Sequence, residues 1–170
     1  TVVVLINGRP LSINWTAQNV PAVLEAWYPG EEGGRVIAEV LFGDYNPGGS
    51  LQMTFPKTVG QIPVNFPYKP ASQFLRRSCR NYGVIYPFGH GLSYTAFEYS
   101  DLQVEPKKIR PDGDVRVSVA VKNTGDRTGD KVVQLYVNDV VSSVVTPVRV
   151  LRGFERVTLQ PGEKKTVKFT

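Results

Sequence analysis

The apolar residues of this chain follow one period in its first half and another in its second. Val2-Val3-Val4-Leu5-Ile6 runs without a polar side chain, the pattern of a strand buried on both faces of a parallel sheet. Later, Val115, Val117, Val119 and Val121 alternate with Arg116, Ser118, Ala120 and Lys122, so that strand buries one face and wets the other. The two patterns demand different layers, an α/β arrangement first and an all-β one second. A length of 170 residues, at about 150 per domain, sets a prior of one domain, or one plus a fragment.

In the first half, Asn7-Gly8-Arg9-Pro10 ends the opening strand with turn chemistry. Residues 20–28 form a second strand that stops at Pro29-Gly30, and a helix then runs to Phe42. Val36, Ile37, Val40 and Leu41 fall at helical spacing, with Glu31 and Glu32 placed for its first turn and Gly43-Asp44 as its stop. Residues 51–55 are a further short strand, closed by Pro56. Residues 57–87 hold four prolines and little periodicity, which predicts a long surface excursion.

In the second half, Val133, Leu135 and Val137 alternate again, followed by Val148, Val150 and Phe154, then Val167 and Phe169. Asp112-Gly113, Asn123-Thr124-Gly125 and Pro161-Gly162 separate these runs. Short strands at this spacing predict an antiparallel sandwich of immunoglobulin or fibronectin type III kind. The boundary between the halves lies near residues 94–99. Such a sandwich takes roughly 100 residues and seven strands, whereas this half supplies four or five. The α/β half is similarly short of strands and helices, so the chain is expected to be a piece of something larger.

Net charge is +5, with seven Lys/Arg against six Asp/Glu in residues 1–98 and thirteen against nine in 99–170. The excess is spread singly along strands as Arg116, Lys122, Lys131, Arg149 and Arg152. No basic block with interleaved aromatics occurs, which argues against nucleic acid as a partner. No apolar run approaches the ~18 residues of a membrane-spanning helix, so a membrane is not an expected partner. No secretory signal is visible, although one could have preceded a chain that opens mid-strand without Met. Cys79 is the single cysteine and His90 the single histidine, which leaves no internal disulfide and no multi-cysteine zinc site. No metal and no cofactor are expected.

The loops that follow parallel strands are where α/β sheets bind ligands. Arg9 stands in the first such loop, Glu31 and Glu32 in the second, and these three are the candidate substrate-cleft residues. Gly30-Glu31-Glu32-Gly33-Gly34 fits neither phosphate-binding fingerprint, and its two acids would repel an anion. His90, between Gly89 and Gly91, lacks an evident Ser/Asp arrangement and is better explained as a hydrogen-bonded corner residue. Trp15, Trp27, Tyr28 and the aromatics of residues 82–88 are of a type that stacks on sugar rings, although at strand ends such rings more often serve the core.

Taken in order, the motifs resemble the C-terminal part of glycoside hydrolase family 3, the β-glucosidase and β-xylosidase family. The matching stretches begin with Val2-Val3-Val4-Leu5-Ile6-Asn7-Gly8-Arg9-Pro10 and Glu25-Ala26-Trp27-Tyr28-Pro29-Gly30-Glu31-Glu32-Gly33-Gly34. Phe42-Gly43-Asp44-Tyr45-Asn46-Pro47-Gly48-Gly49 and Leu51-Gln52-Met53-Thr54-Phe55-Pro56 come next. The most telling is Tyr86-Pro87-Phe88-Gly89-His90-Gly91-Leu92-Ser93-Tyr94-Thr95. Val121-Lys122-Asn123-Thr124-Gly125 and Leu151-Arg152-Gly153-Phe154 match the family's fibronectin-like domain.

The resemblance implies the C-terminal part of an α/β sandwich domain with a linker at residues 1–97. It implies a fibronectin type III-like domain, truncated at its C-terminus, at 98–170. Family members run a retaining double displacement with an Asp nucleophile and a Glu acid/base, two carboxyls about 5 Å apart. Both are expected upstream, leaving no catalytic residue in this chain. Glu31 and Glu32 match the family's Pro-Gly-x-Glu-x-Gly turn rather than its acid/base segment. The chain departs from the family pattern over residues 72–86, where it runs Phe74-Leu75-Arg76-Arg77-Ser78-Cys79-Arg80-Asn81.

The resemblance therefore implies a fragment of a retaining, exo-acting β-glycosidase, foremost a β-glucosidase, acting on terminal β-linked sugars and inactive alone. Its partners would be a carbohydrate substrate, met through the intact enzyme, and the missing upstream barrel domain. An extracellular or periplasmic location is favoured over a cytoplasmic one. The alternative is a non-catalytic carbohydrate-binding or structural β-sandwich module derived from such an enzyme.

Overall fold

The computed structural model describes residues 1–69, 83–110 and 112–170. Two compact units emerge, one of Thr1–Tyr45, Ser50–His90 and Val137–Val150, the other of Asn46–Gly49, Gly91–Tyr136 and Leu151–Thr170.

In the first unit, strand β1 (Val2–Leu5) pairs in parallel with β2 (Ala22–Glu25), from Val2 opposite Ala22 to Leu5 opposite Glu25. Helix α1 (Asn14–Asn19) makes the crossover. It carries no capping side chain and no buried residue, so nothing in its sequence marked it beforehand. Within this chain β1 is half-buried rather than covered on both faces, and β2 is shorter than the apolar run predicts. The chain leaves the sheet after Glu25 because Trp27 adopts a left-handed backbone, φ 53°.

Helix α2 (Gly33–Phe42) buries Val40 and ends on Gly43 at φ 86°, the left-handed cap that glycine adopts without steric cost. Its first turn holds no acidic residue, contrary to expectation. Glu32 is the N-cap position instead, and its carboxylate accepts from Arg35 at 2.8 Å, an exposed pair one turn apart.

The expected strand at 51–55 contracts to β3 (Phe55–Pro56), which pairs antiparallel with β4 (Val84–Tyr86). Leu51 still behaves as a ladder residue: its N–H donates to the His90 carbonyl and its carbonyl accepts from Gly89 N–H, both at 2.7 Å. The excursion from residue 57 is partly structured by a 3₁₀ turn, Val59–Gln61. Gln61 is buried, accepting from the N–H groups of Lys57 and Thr58 and donating to the Gly83 carbonyl. Cys79 and the departure around residues 74–81 lie outside the described residues.

The second unit is a sandwich. Strands β5 (Phe97–Glu105), β6 (Arg116–Asn123) and β9 (Lys164–Phe169) form one antiparallel sheet in the order β5-β6-β9. Strands β7 (Gly129–Val137) and β8 (Val150–Leu159) pair as the second. Val121 and Val167 meet Val133, Val157 and Leu159 in the core, flanked by Phe97, Val119 and Phe169.

Two details of β-phase differ from expectation. Strand β5 was not legible as a strand, because a register shift between Ser100 and Gln103, with Asp101 at φ 55°, flips its alternation midway. In β8 the inward phase is that of Val157 and Leu159. Val148 precedes the strand, its N–H donating to the Tyr68 carbonyl at 3.0 Å, and Phe154 is 70% exposed. Asn46, from the motif after α2, belongs to the sandwich: Nδ2 donates to the Thr128 carbonyl, and Oδ1 accepts from Ser93 Oγ and Tyr94 N–H.

Candidate functional site at the carboxyl edge of the parallel strands

Because β1 and β2 run parallel and in register, the loops after Leu5 and after Glu25 leave the sheet at the same edge. One loop carries Asn7, Gly8 and Arg9, the other Trp27, Tyr28 and Glu31. Ala26 N–H donates to the Leu5 carbonyl at 2.9 Å, carrying the pairing one residue past the strands.

Glu25 ties the two loops together. Its Oε1 accepts from the backbone N–H of Trp27 at 2.9 Å, and its Oε2 lies 3.5 Å from Asn7 Nδ2. Asn7 Nδ2 also donates to the Arg9 carbonyl at 2.7 Å, while Asn7 Oδ1 is buried without a hydrogen-bond partner. Burial pushes the Glu25 carboxyl above its ordinary pKa, and the bonds from Trp27 and Asn7 offset part of that rise.

The consequence for stability has a definite sign. A carboxyl whose pKa is raised by folding is stabilising only when protonated, so its contribution falls as pH rises through the folded pKa. Glu25→Gln keeps an acceptor for Trp27 N–H and removes the charge. Urea titration is expected to place the variant at or above the parent midpoint at neutral pH, the gap closing towards pH about 4. A variant midpoint clearly lower at neutral pH would contradict this.

Behind the edge stands an aromatic row. The Trp27 ring lies 6.0 Å from Phe55, Phe55 meets Tyr86 at 6.2 Å near edge-on, and Tyr86 stacks on His90 at 4.9 Å. His90 N–H donates to the Pro87 carbonyl, so this histidine is a ring-stacked corner residue.

Of the three residues singled out from sequence, Arg9, Glu31 and Glu32 are all exposed in the two edge loops. Glu32 is engaged by Arg35 on its own helix. The residues that organise the edge are Asn7 and Glu25, which sequence reasoning passed over, and Trp27, which it weighed as a sugar-stacking ring and favoured as core. The available signal was a single acid, Glu25, closing an otherwise apolar strand. Among the described residues, no three His, Cys, Asp or Glu side chains are grouped to hold a metal ion. No helix among them is long and apolar enough to cross a membrane.

A parallel α/β layer whose strand-following loops share one edge, followed in the chain by a fibronectin-like sandwich, defines the class of protein. Residues 1–94 match the glycosyl hydrolase family 3 C-terminal domain, and residues 131–170 match the fibronectin type III-like domain. The chain therefore belongs to glycosyl hydrolase family 3. It is 48% identical to the periplasmic β-glucosidase of Salmonella typhimurium, over 99% of this chain and 23% of that protein. It is 49% identical to a β-xylosidase of Formosa agariphila, over 99% of this chain and 24% of that one. A β-glucosidase from Listeria innocua, solved in complex with glucose, superposes with a TM-score of 0.88 at 40% identity, covering 99% of this chain and 25% of that one. The chain thus spans about a quarter of the length of the relatives it matches.

Proposed function

We propose that these residues are the C-terminal part of a retaining, exo-acting β-glycosidase, foremost a β-glucosidase, that removes terminal β-linked sugars. The observation that carries this reading is the alignment of 99% of the chain, without loss of either half, to β-glycosidases at close to 50% identity. The edge loops after β1 and β2 would form one wall of the substrate cleft, with Arg9, Glu31 and Glu32 as polar groups along it. The sandwich would brace the remainder of the enzyme, an upstream barrel domain included. The nucleophile Asp and the acid/base Glu are assigned to that upstream part, and no cofactor takes part. The periplasmic relative supports an extracellular or periplasmic location.

The chain contributes binding surface and rigidity rather than reacting groups. Without both carboxyls, neither the glycosyl-enzyme intermediate nor protonation of the leaving group is available. The full-length polypeptide that carries these residues is expected to hydrolyse an aryl β-glucoside, and the purified 170-residue chain to show no turnover above buffer. Turnover by the short chain would overturn the placement of the carboxyls. An inactive full-length polypeptide would overturn the β-glycosidase reading and favour a non-catalytic descendant.

A further inference from the structure

Tyr28 is 77% exposed, yet its ring is seated. A β-carbon built on Gly8 would come within 2.6 Å of Tyr28 Cε2 and 2.8 Å of its hydroxyl oxygen, so the hydroxyl end of the ring rests against the glycine of the neighbouring loop. The preceding residue, Trp27, holds a left-handed backbone that a bulky side chain adopts only when its surroundings enforce it. Two features do so here: Glu25 accepts the Trp27 N–H, and the Trp27 ring packs towards Phe55. The turn sends two consecutive aromatic rings to different places, Trp27 half-buried and Tyr28 out beside Gly8 at the edge where the loops after β1 and β2 leave the sheet. An aromatic ring fixed in position but left open on its outer side is how a protein offers a stacking face to a partly apolar ligand.

We propose that Tyr28 is a saccharide-binding platform at this edge, seated on Gly8 and set in place by Glu25 through the turn at Trp27. The ligand class is a β-linked disaccharide or longer oligosaccharide, whose ring C–H faces lie on the aromatic ring while its hydroxyls meet the polar groups of the edge loops. The proposal rests on the β-glycosidase reading given above. Glu25 and Gly8 are positioning residues in it, and only Tyr28 touches the sugar.

The test uses the full-length polypeptide that carries these residues, with laminaribiose as the probe. Tyr28→Ala is expected to raise KM about five- to tenfold, the signature of lost binding energy rather than lost chemistry. Tyr28→Phe, which keeps the stacking face, is expected to restore KM to within about twofold. Glu25→Ala should reproduce the KM rise in part, and Glu25→Gln should rescue it. Calorimetric titration of laminaribiose reads the platform without turnover, so an inactive parent that binds the sugar through Tyr28 would sink the β-glycosidase reading and keep this one. An unchanged KM and unchanged calorimetric affinity in Tyr28→Ala would overturn the platform. So would a loss that Tyr28→Phe shares, since that places the binding in the hydroxyl rather than the ring face, or one that only accompanies a lowered thermal midpoint, since that marks a packing contact.

Discussion

Replacing Asn123 with alanine is expected to cost the sandwich about 3–4 kcal/mol, because one buried amide loses four hydrogen bonds at once. Asn123 sits at the end of β6 with no exposed surface. Its Oδ1 accepts from Thr95 Oγ1 at 2.6 Å and from Gly125 N–H at 3.1 Å. Its Nδ2 donates to the carbonyls of Arg127 at 2.7 Å and Leu159 at 3.0 Å. One side chain thus closes the turn that follows β6 and ties it to the end of β8. Aspartate is expected to fare no better, because it would point a carboxylate oxygen at two carbonyls that need a donor. Hydrogen exchange on the full chain is the direct measurement, read at the β6 and β8 amides. Protection lost by less than about tenfold in Asn123→Ala would mean that water replaces the amide without cost.

Phe55→Ala is the change expected to do most damage in the other unit, at about 3–5 kcal/mol. Phe55 is 1% exposed and stands between Trp27 and Tyr86 in the aromatic row. The expected loss is the transfer energy of the ring plus the cavity it leaves. A second effect reaches the candidate site, since the left-handed Trp27 loses one of the two features that hold it. Tryptophan emission reports on this directly: Trp15 is already 71% exposed, so a red shift would come from Trp27. Phe55→Leu is expected to lose less stability and to shift emission little. An unshifted spectrum in Phe55→Ala, with a urea midpoint near the parent's, would show that the row does not support the edge.

Much of the architecture was legible because it is encoded locally. The Val2–Leu5 run and the α2 apolar spacing each lie within a few residues, and so do the alternations of β6 and β7. Gly43 announces the end of α2 by the same logic. The misses have equally definite causes. Strand β5 changes phase at Asp101, so no single alternation spans it. Helix α1 has neither a cap nor a buried stripe. In β8, Val148 before the strand and Val150 at its start suggested the phase opposite to the one that Val157 and Leu159 bury.

The candidate site divides along the same line. Arg9, Glu31 and Glu32 could be placed in the edge loops because loops after parallel strands follow from strand order alone. Asn7 and Glu25 were not singled out, since their contact joins loops that are distant in the chain, and the ring of Trp27 meets Phe55 from a later segment. Asn7 meets Glu25 across 18 residues, and Asn123 meets Thr95 and Leu159 across 28 and 36.

By itself the sequence determined the change from an α/β period to a β period, the turns that separate the strands, and the family to which the motifs point. Only the tertiary structure decided which polar groups are buried, which ring rests against Gly8, and which backbone is held left-handed at Trp27. The physical reason is range. Periodicity and turn chemistry act over a few residues, whereas a buried hydrogen bond or a ring contact exists only once remote segments have been brought to the same place.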